Sequence, residues 1–242
     1  MVMVVPCYNE AGRLDAGQFL HLQVEGHRVE LLFVNDGSGD GTLAMLERLR
    51  REQPGRIAVL DLERNSGKAE AVRRGFGAAM ASSPDYVGFW DADLATPFAE
   101  LPGFVRVLET NAELQMVFGA RVKLLGRVID RHPQRHYLGR VAATLISLTL
   151  GISIYDSQCG AKLFRMSPTL REVFGEPFLS RWIFDVEIIA RFMTRWGRDE
   201  TALRIYELPL RQWTDVQGSK VTGGDFLKAL RDLWRIRNAY RR

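Results

Sequence analysis

Cysteine is scarce in this sequence, with only Cys7 and Cys159 among 242 residues. They lie far apart without Cys-x-x-Cys or Cys/His spacing, which excludes a disulfide framework and a structural zinc site and fits a reducing compartment. Long apolar runs are missing as well: none reaches the length of about 18 residues needed to span a bilayer. The N-terminus enters an apolar strand with no charged leader or cleavage site, so the chain as given is expected to be soluble or peripheral. Internal repeats and low-complexity segments are absent, which excludes a repeat architecture. Charge of one sign is not in large excess, the formal net charge being +4.

What is present is enough apolar material for a core: 46% of residues are hydrophobic and 26% charged. That suits one large globular domain, here expected to carry a terminal appendage. The positive residues are uneven, with one cluster between Arg121 and Arg140 and another from Lys228 to Arg242. Such clusters suit phosphate or an anionic membrane surface.

Met1–Pro6 is an apolar run closed by proline, and Glu30–Asn35 is another, bounded by the turn sequence Asp36–Gly41. Both read as buried strands. Leu14, Phe19, Leu20 and Leu22 hold roughly helical spacing between them, and Leu43, Leu46 and Leu49 follow the second. The alternation continues through Ile57–Leu62, an alanine-rich helix at Lys68–Met80, Tyr86–Trp90, Phe98–Leu108 and Met116–Phe118. This is the βαβ rhythm of a mostly parallel sheet. Ligands of such sheets bind at the carboxyl ends of the strands, where the order places Tyr8-Asn9-Glu10, Asp36, and Asp91 to Asp93. Past Gly119 a basic stretch leads into Val141–Ile154, which does not read as a sheet-covering helix. Ser167-Pro168 opens a helix as N-cap and first-turn proline, Phe184–Trp196 forms another, Leu203–Leu208 reads as a late strand, and Asp225–Arg242 as a basic amphipathic helix.

Asp91-Ala92-Asp93 follows the strand YVGFW, so its two carboxylates can share one side of an extended chain. Two hard oxygen ligands suit Mg²⁺ or Mn²⁺, with diphosphate oxygens and water completing the shell. An isolated Asp-x-Asp is more often a turn; its place after a buried strand points the other way. Lys68 follows Gly67 at a helix start, where free N–H groups and a cation can meet a phosphate. It is not a P-loop lysine, because Leu62 stands where the first glycine is required and Ala69 replaces Ser or Thr. His132 and His136 are four apart, but the intervening Pro133 and the lack of a third ligand argue against a metal pair.

PCYNE at 6–10, NDGSGDGT at 35–42, RNSGKAEAVRRG at 64–75 and DADLATP at 91–97, in that order, resemble the family 2 glycosyltransferases of GT-A fold. DSQCGAKLF at 156–164, FDVEII at 184–189 and QWTDVQGSKV at 212–221 resemble the polyprenyl-phosphate (dolichyl-phosphate) branch of that family. The resemblance covers nearly the whole chain. It implies an α/β GT-A fold: a Rossmann-like, mostly parallel sheet flanked by helices, with a nucleotide-binding half at 1–120, an acceptor-binding half at 121–222 and a C-terminal amphipathic helix at 223–242.

The resemblance also implies roles. Asp91 and Asp93 would hold the metal. Pro6, Tyr8, Glu10, Asp36, Lys68, Asp91, Ala92, Asp93, Trp213, Ser219 and Lys220 would bind the nucleotide sugar, with Asp36 accepting from the N3–H of a uracil ring. Asp93, Arg121, Asp156, Gln158, Asp185 and Glu187 would form the catalytic set. Residues two apart on a helix diverge by roughly 200°, so of Asp185 and Glu187 one is expected at the site and the other to cap or pair. Gly218-Ser219-Lys220 resembles a loop that closes over the donor and excludes water. In mannosyl-transferring members a glutamine adds to the metal site where this chain has Ala95, and DADLAT is more similar to glucosyl-transferring members, favouring UDP-glucose. The family often has two acidic residues where this chain has Asn35-Asp36, and glycine where it has Ala69.

A phosphate monoester already presents an anionic oxygen, so a phosphate acceptor needs cations more than a general base. Arg121, Lys123, Arg127, Arg131, Arg135 and Arg140 can supply them, followed by an apolar stretch on which a polyprenyl chain could lie. The expectation is an inverting, metal-dependent transfer from a nucleoside diphosphate sugar to a polyprenyl phosphate, on the cytoplasmic face of a membrane. A membrane-protein partner is compatible with it and nucleic acid is not expected. Two alternatives share these motifs: a relative with a soluble hydroxyl acceptor, which needs a carboxylate base such as Asp156, and a binding module without turnover.

Overall fold

In the computed structural model the residues described are 1–130, 133–216 and 223–240, without the side chains of 133–136 and 223–227. The strands are β1 (Val2–Cys7), β2 (Glu30–Asp36), β3 (Ile57–Leu62), β4 (Tyr86–Trp90), β5 (Met116–Ala120), β6 (Val128–Asp130), β7 (Ala161–Arg165), β8 (Ile205–Pro209) and β9 (Gln212–Thr214). The helices are α1 (Ala16–Leu20), α2 (Thr42–Glu52), α3 (Lys68–Ala79), α4 (Leu101–Thr110), α5 (Pro133–Leu150), α6 (Pro168–Gly175), α7 (Phe184–Trp196), α8 (Arg198–Arg204) and α9 (Gly223–Tyr240).

Seven strands form one sheet in the order β3-β2-β1-β4-β7-β5-β8, and β6 pairs with β9 beside it. Only β7 runs against its neighbours: β1–β2, β2–β3, β1–β4 and β5–β8 are parallel, whereas β4–β7 and β5–β7 are antiparallel. The chain passes from β1 outward to β2 and β3, then returns to place β4 on the other side of β1. This reversal opens a crevice at the carboxyl ends of β1 and β4, the usual ligand position in such sheets.

Alternate residues of the buried strands face opposite layers, as the two-residue period requires. Val2 and Val4 of β1 join a cluster with α3, α6 and α7, while Met3 and Val5 join one with α1, α2 and α4. A Cβ at Gly75 of α3 would lie 2.4 Å from Val4 Cγ1. Its absence lets α3 lie close on the sheet, which sets the position of Lys68 at the helix start.

Most expected elements form within a residue or two of their expected bounds, and Ser167 caps α6 by accepting from Leu170 N. Three features differ. Residues 198–204 are helical and the late strand starts at Ile205, because Thr201 is buried while Leu203 is 71% exposed, a helical pattern of facing. Val141–Leu150 belongs to the 18-residue helix α5, which packs on α9 and turns Ala143, Ile146 and Leu150 inward, Ile146 and Leu150 joining the core cluster that holds Phe89 and Phe118. The C-terminal helix α9 is integrated with the domain, burying Leu233 and Ile236 in the cluster that holds Phe184 and Ile188.

Glu187, expected in the catalytic set, is fully buried in α7 and does not line the cleft. The roughly 200° divergence settles which of the two acids faces the site. Glu187 instead accepts hydrogen bonds from Leu179 N (2.8 Å), Arg191 Nη2 (2.8 Å) and Tyr240 Oη (2.7 Å). Arg191 also donates to the carbonyls of Val173, Glu176 and Pro177, so one ion pair ties α6, α7 and α9 together. Removing one partner of such a buried pair strands the other charge. Glu187→Ala should therefore cost about 3–5 kcal/mol in urea unfolding, while nucleotide affinity of the folded protein, measured by calorimetry, stays unchanged.

Candidate active site

A cleft of about 1050 Å³ opens at the carboxyl ends of β1, β2 and β4. Pro6, Tyr8, Glu10, Asp36, Lys68, Asp91, Ala92 and Asp93 line one side, at the ends of β1, β2 and β4, and Arg121, Asp156, Gln158, Asp185 and Trp213 line the other. The fold thus gathers residues from segments spread over most of the chain.

Among the described residues, two of the three non-glycine residues with positive φ sit in the cleft loops: Asn9 at 54° and Leu94 at 50°. Backbone held there is uncommon for such side chains and marks a constrained segment. Asn9 is held by Ser38 Oγ, which accepts from its N–H, and by its own Oδ1, which accepts from Gly39 N. Leu94 sits between Leu94 N→Asp91 O (3.2 Å) and Ala95 N→Asp93 Oδ1 (3.1 Å), a turn that carries Asp93 back toward the cleft.

Asp91 follows β4 and donates its N–H to Gly160 O. A Cβ at Gly160 would lie 1.8 Å from Asp91 Oδ2, so this glycine is the space in which the carboxylate sits. Lys68 Nζ lies 2.5 Å from Asp91 Oδ1. Burial alone would favour its neutral amine, but the charges of Asp91 and Asp185 outweigh that and hold its pKa above the ordinary value. The lysine expected to meet a phosphate here meets the carboxylate instead. Asp93 is pushed above the usual carboxylate range, first by burial and second by the charge of Asp91. A carboxylate whose ionisation is opposed by burial and by a second carboxylate suits a bound cation.

On the first side Asp36 accepts from Ser66 N (2.7 Å) and Gly67 N (2.8 Å), so it also shapes the loop that launches α3. Each oxygen keeps a second lone pair for a ligand. Glu10 is gripped by Arg13 through Nε (2.9 Å) and Nη2 (2.5 Å). Arg13 lines the cleft as well; its i, i+3 spacing from Glu10 is the sequence signal that could have flagged it.

On the other side Arg121 makes a two-pronged pair with Asp156, Nε to Oδ2 at 2.6 Å and Nη2 to Oδ1 at 2.7 Å, and lies 5.2 Å from the Trp213 ring centroid. Burial opposes the guanidinium charge, but Asp156 holds its pKa above the ordinary value. The backbone of Tyr155 and Asp156 is fixed in turn by Glu207. Arg140 stacks over Tyr155 at 3.7 Å and donates to Tyr155 O, with its guanidinium at the cleft. Arg127 does not line the cleft; it lies in the loop before β6. Arg131, His132, Ser219 and Lys220 lie outside the described residues, as do the side chains of Arg135 and His136.

The ionisation cost at Asp93 has a testable sign. With the folded pKa above the unfolded one, this group's contribution is most favourable below the ordinary carboxylate pKa and is lost as pH rises through the elevated value. Asp93→Asn should raise the melting temperature of metal-free protein at neutral pH, and calorimetric scans should show the gain vanishing at acid pH.

Residues 2–171 match the glycosyl transferase family 2. Over 98% of this chain and 74% of theirs, the sequence is 31% identical to the dolichyl-phosphate beta-glucosyltransferases of Saccharomyces cerevisiae and Dictyostelium discoideum. It is 26% identical to the polyprenol monophosphomannose synthase of Mycolicibacterium smegmatis, over 95% of this chain and 83% of that one. Among solved structures it is similar to glucosyl-3-phosphoglycerate synthase from Mycobacterium tuberculosis in complex with Mn²⁺, UDP and glucosyl-3-phosphoglycerate. That likeness has a TM-score of 0.65 at 20% identity, over 98% of this chain and 79% of that one, and shows the GT-A fold. Matched by the family model over residues 2–171 and by relatives at 31% identity over nearly its whole length, this chain belongs to glycosyl transferase family 2 and is a glycosyltransferase.

Proposed function

We propose that the protein transfers glucose from UDP-glucose to a polyprenyl phosphate at a membrane surface, with inversion at the anomeric carbon. The observation that carries the acceptor is the far end of the cleft. There Arg140, its guanidinium over the Tyr155 ring, lines the cleft together with the apolar residues Leu138, Ala142, Leu145, Leu230 and Leu233 of α5 and α9. A cation next to an apolar wall suits a lipid phosphate. Tyr137, Leu138, Val141 and Trp234 of the same two helices remain largely exposed. Exposed apolar side chains on helices that carry arginine suit the interface of an anionic bilayer. Among the described residues no helix is long and apolar enough to cross a membrane, so contact through this surface supports a peripheral attachment. The cytoplasmic face accords with a sugar nucleotide donor and reduced cysteines.

The carboxylates facing the acceptor support the same reading. Asp156 is committed to Arg121 and Asp185 to Lys162. A hydroxyl acceptor would need one of them as a base, whereas a phosphate oxygen arrives already anionic. Arg121 then acts by fixing the Asp156 loop beneath Trp213, and Arg140 is, among the described residues, a cation lining this end of the cleft that can meet the acceptor.

Asp91 and Asp93 would hold Mg²⁺ or Mn²⁺; the relatives with glucosyl activity make UDP-glucose the donor favoured for this chain, and the neighbouring fold binds UDP with Mn²⁺. The metal would supply charge stabilisation to the departing diphosphate. Lys68, released from Asp91, would turn to the diphosphate, Asp36 would accept from the base, and Asp185 and Gln158 would border the sugar.

With Mn²⁺, UDP-glucose and a detergent-dispersed polyprenyl phosphate, the purified protein should form a lipid-linked glucose extractable into organic solvent. Transfer only to hydroxyl acceptors would overturn the acceptor assignment, and an activity limb lost in Asp156→Asn would favour the base-dependent alternative. Gly160→Ala forces Asp91 aside and should weaken Mn²⁺-dependent UDP binding by about tenfold or more, corresponding to one lost charge-assisted contact, as read by titration calorimetry.

A further inference from the structure

Lys162 lies in β7 with no exposed surface. The ring centroids of Phe89 and Phe118 lie 5.1 and 5.8 Å from its ammonium. Nζ donates to Ser157 O (3.0 Å) and Cys159 O (2.6 Å) and stands 2.6 Å from Asp185 Oδ1, off the direction of a hydrogen bond, so that this third contact is one of charge. All three ammonium contacts therefore go to two cleft walls: the 156–160 loop and the first turn of α7.

Burying an ammonium is costly, and an apolar side chain in the same aromatic surroundings would avoid that cost. What the charge adds over such a side chain is orientation. Asp185 faces two lysines, Lys162 from β7 and Lys68 from α3, and Lys68 is already paired with Asp91. With Lys162 in place the two carboxylates have separate partners. Without it, Asp185 and Asp91 would compete for Lys68, and Asp185 would leave its place on the wall.

We propose that Lys162 is a positioning residue for the donor sugar: its ammonium fixes the Asp185 carboxylate and ties it to the 156–160 loop, so that Asp185 meets the sugar hydroxyls at one defined place. This rests on the reading that Asp185 borders the donor sugar. Lys162 itself does not line the cleft and touches no substrate.

The test compares UDP and UDP-glucose affinities, with Mn²⁺, in wild type, Lys162→Met, Asp185→Asn and the double variant. The ratio of the two dissociation constants isolates the sugar contacts from those of the nucleotide. Lys162→Met should shift that ratio against UDP-glucose by about tenfold, as expected for losing one hydrogen bond to a charged group, with UDP affinity little changed. Asp185→Asn should shift it similarly, and the double variant should add little, since the two act as one unit. Equal loss of UDP and UDP-glucose in Lys162→Met would make the lysine merely structural and overturn the proposal, as would an unchanged ratio. An unchanged ratio in Asp185→Asn would overturn the sugar reading of Asp185 itself, an outcome separable from the first. Should Lys162→Met fail to fold, Lys162→Met combined with Asp185→Leu removes both charges from the interior; that protein should fold and still lack the wild-type ratio, and its retention would equally overturn the proposal.

Discussion

The pairing of Trp90 with Ala161 across β4 and β7 is the constraint on which the rest of the cleft depends. Because β7 runs antiparallel to β4, its first residue lies beside the last residue of β4. The loop that precedes β7, and not one that follows it, therefore meets the Asp91–Asp93 turn. Gly160 then accepts from Asp91 N and leaves room for its carboxylate. Had β7 been parallel, the 156–160 loop would lie at the opposite edge of the sheet.

From that contact two chains of charge run through the cleft. One passes from Asp91 to Lys68 at the start of α3, with Asp93 close enough to feel Asp91's charge. The other passes from Asp185 to Lys162 and the carbonyls of the 156–160 loop, beside which Asp156 locks Arg121 under Trp213. Asp93 is the carboxylate whose ionisation is opposed, by burial and by the charge of Asp91, whereas Asp156 is held in a two-pronged pair by Arg121. Cys159 and Cys7 are buried, and burial pushes both thiols above the ordinary pKa.

Much of the architecture was legible along the chain. The parallel half from β1 to β5 follows from apolar runs closed by turn residues, and the carboxyl-end rule placed Tyr8, Asp36 and Asp91 on one edge before any coordinates. Legibility failed where side chains serve partners far away in sequence. Glu187 reads as a motif acid, yet its partners include Tyr240 and Leu179. Lys162 reads as a strand lysine, yet its charge is consumed inside the protein.

What the sequence determined by itself is the order of strands and helices, the donor-side motifs and the family they belong to, because these rest on local periodicity and on residues close together in the chain. Only the tertiary structure decided which charges meet. It paired Lys68 with Asp91, Arg121 with Asp156 and Lys162 with Asp185, stacked Arg140 on Tyr155 at the cleft, and turned Glu187 into the core. The reason is physical: an ion pair is a matter of a few ångströms, and the antiparallel turn of β7 sets those distances between segments that local pattern cannot relate.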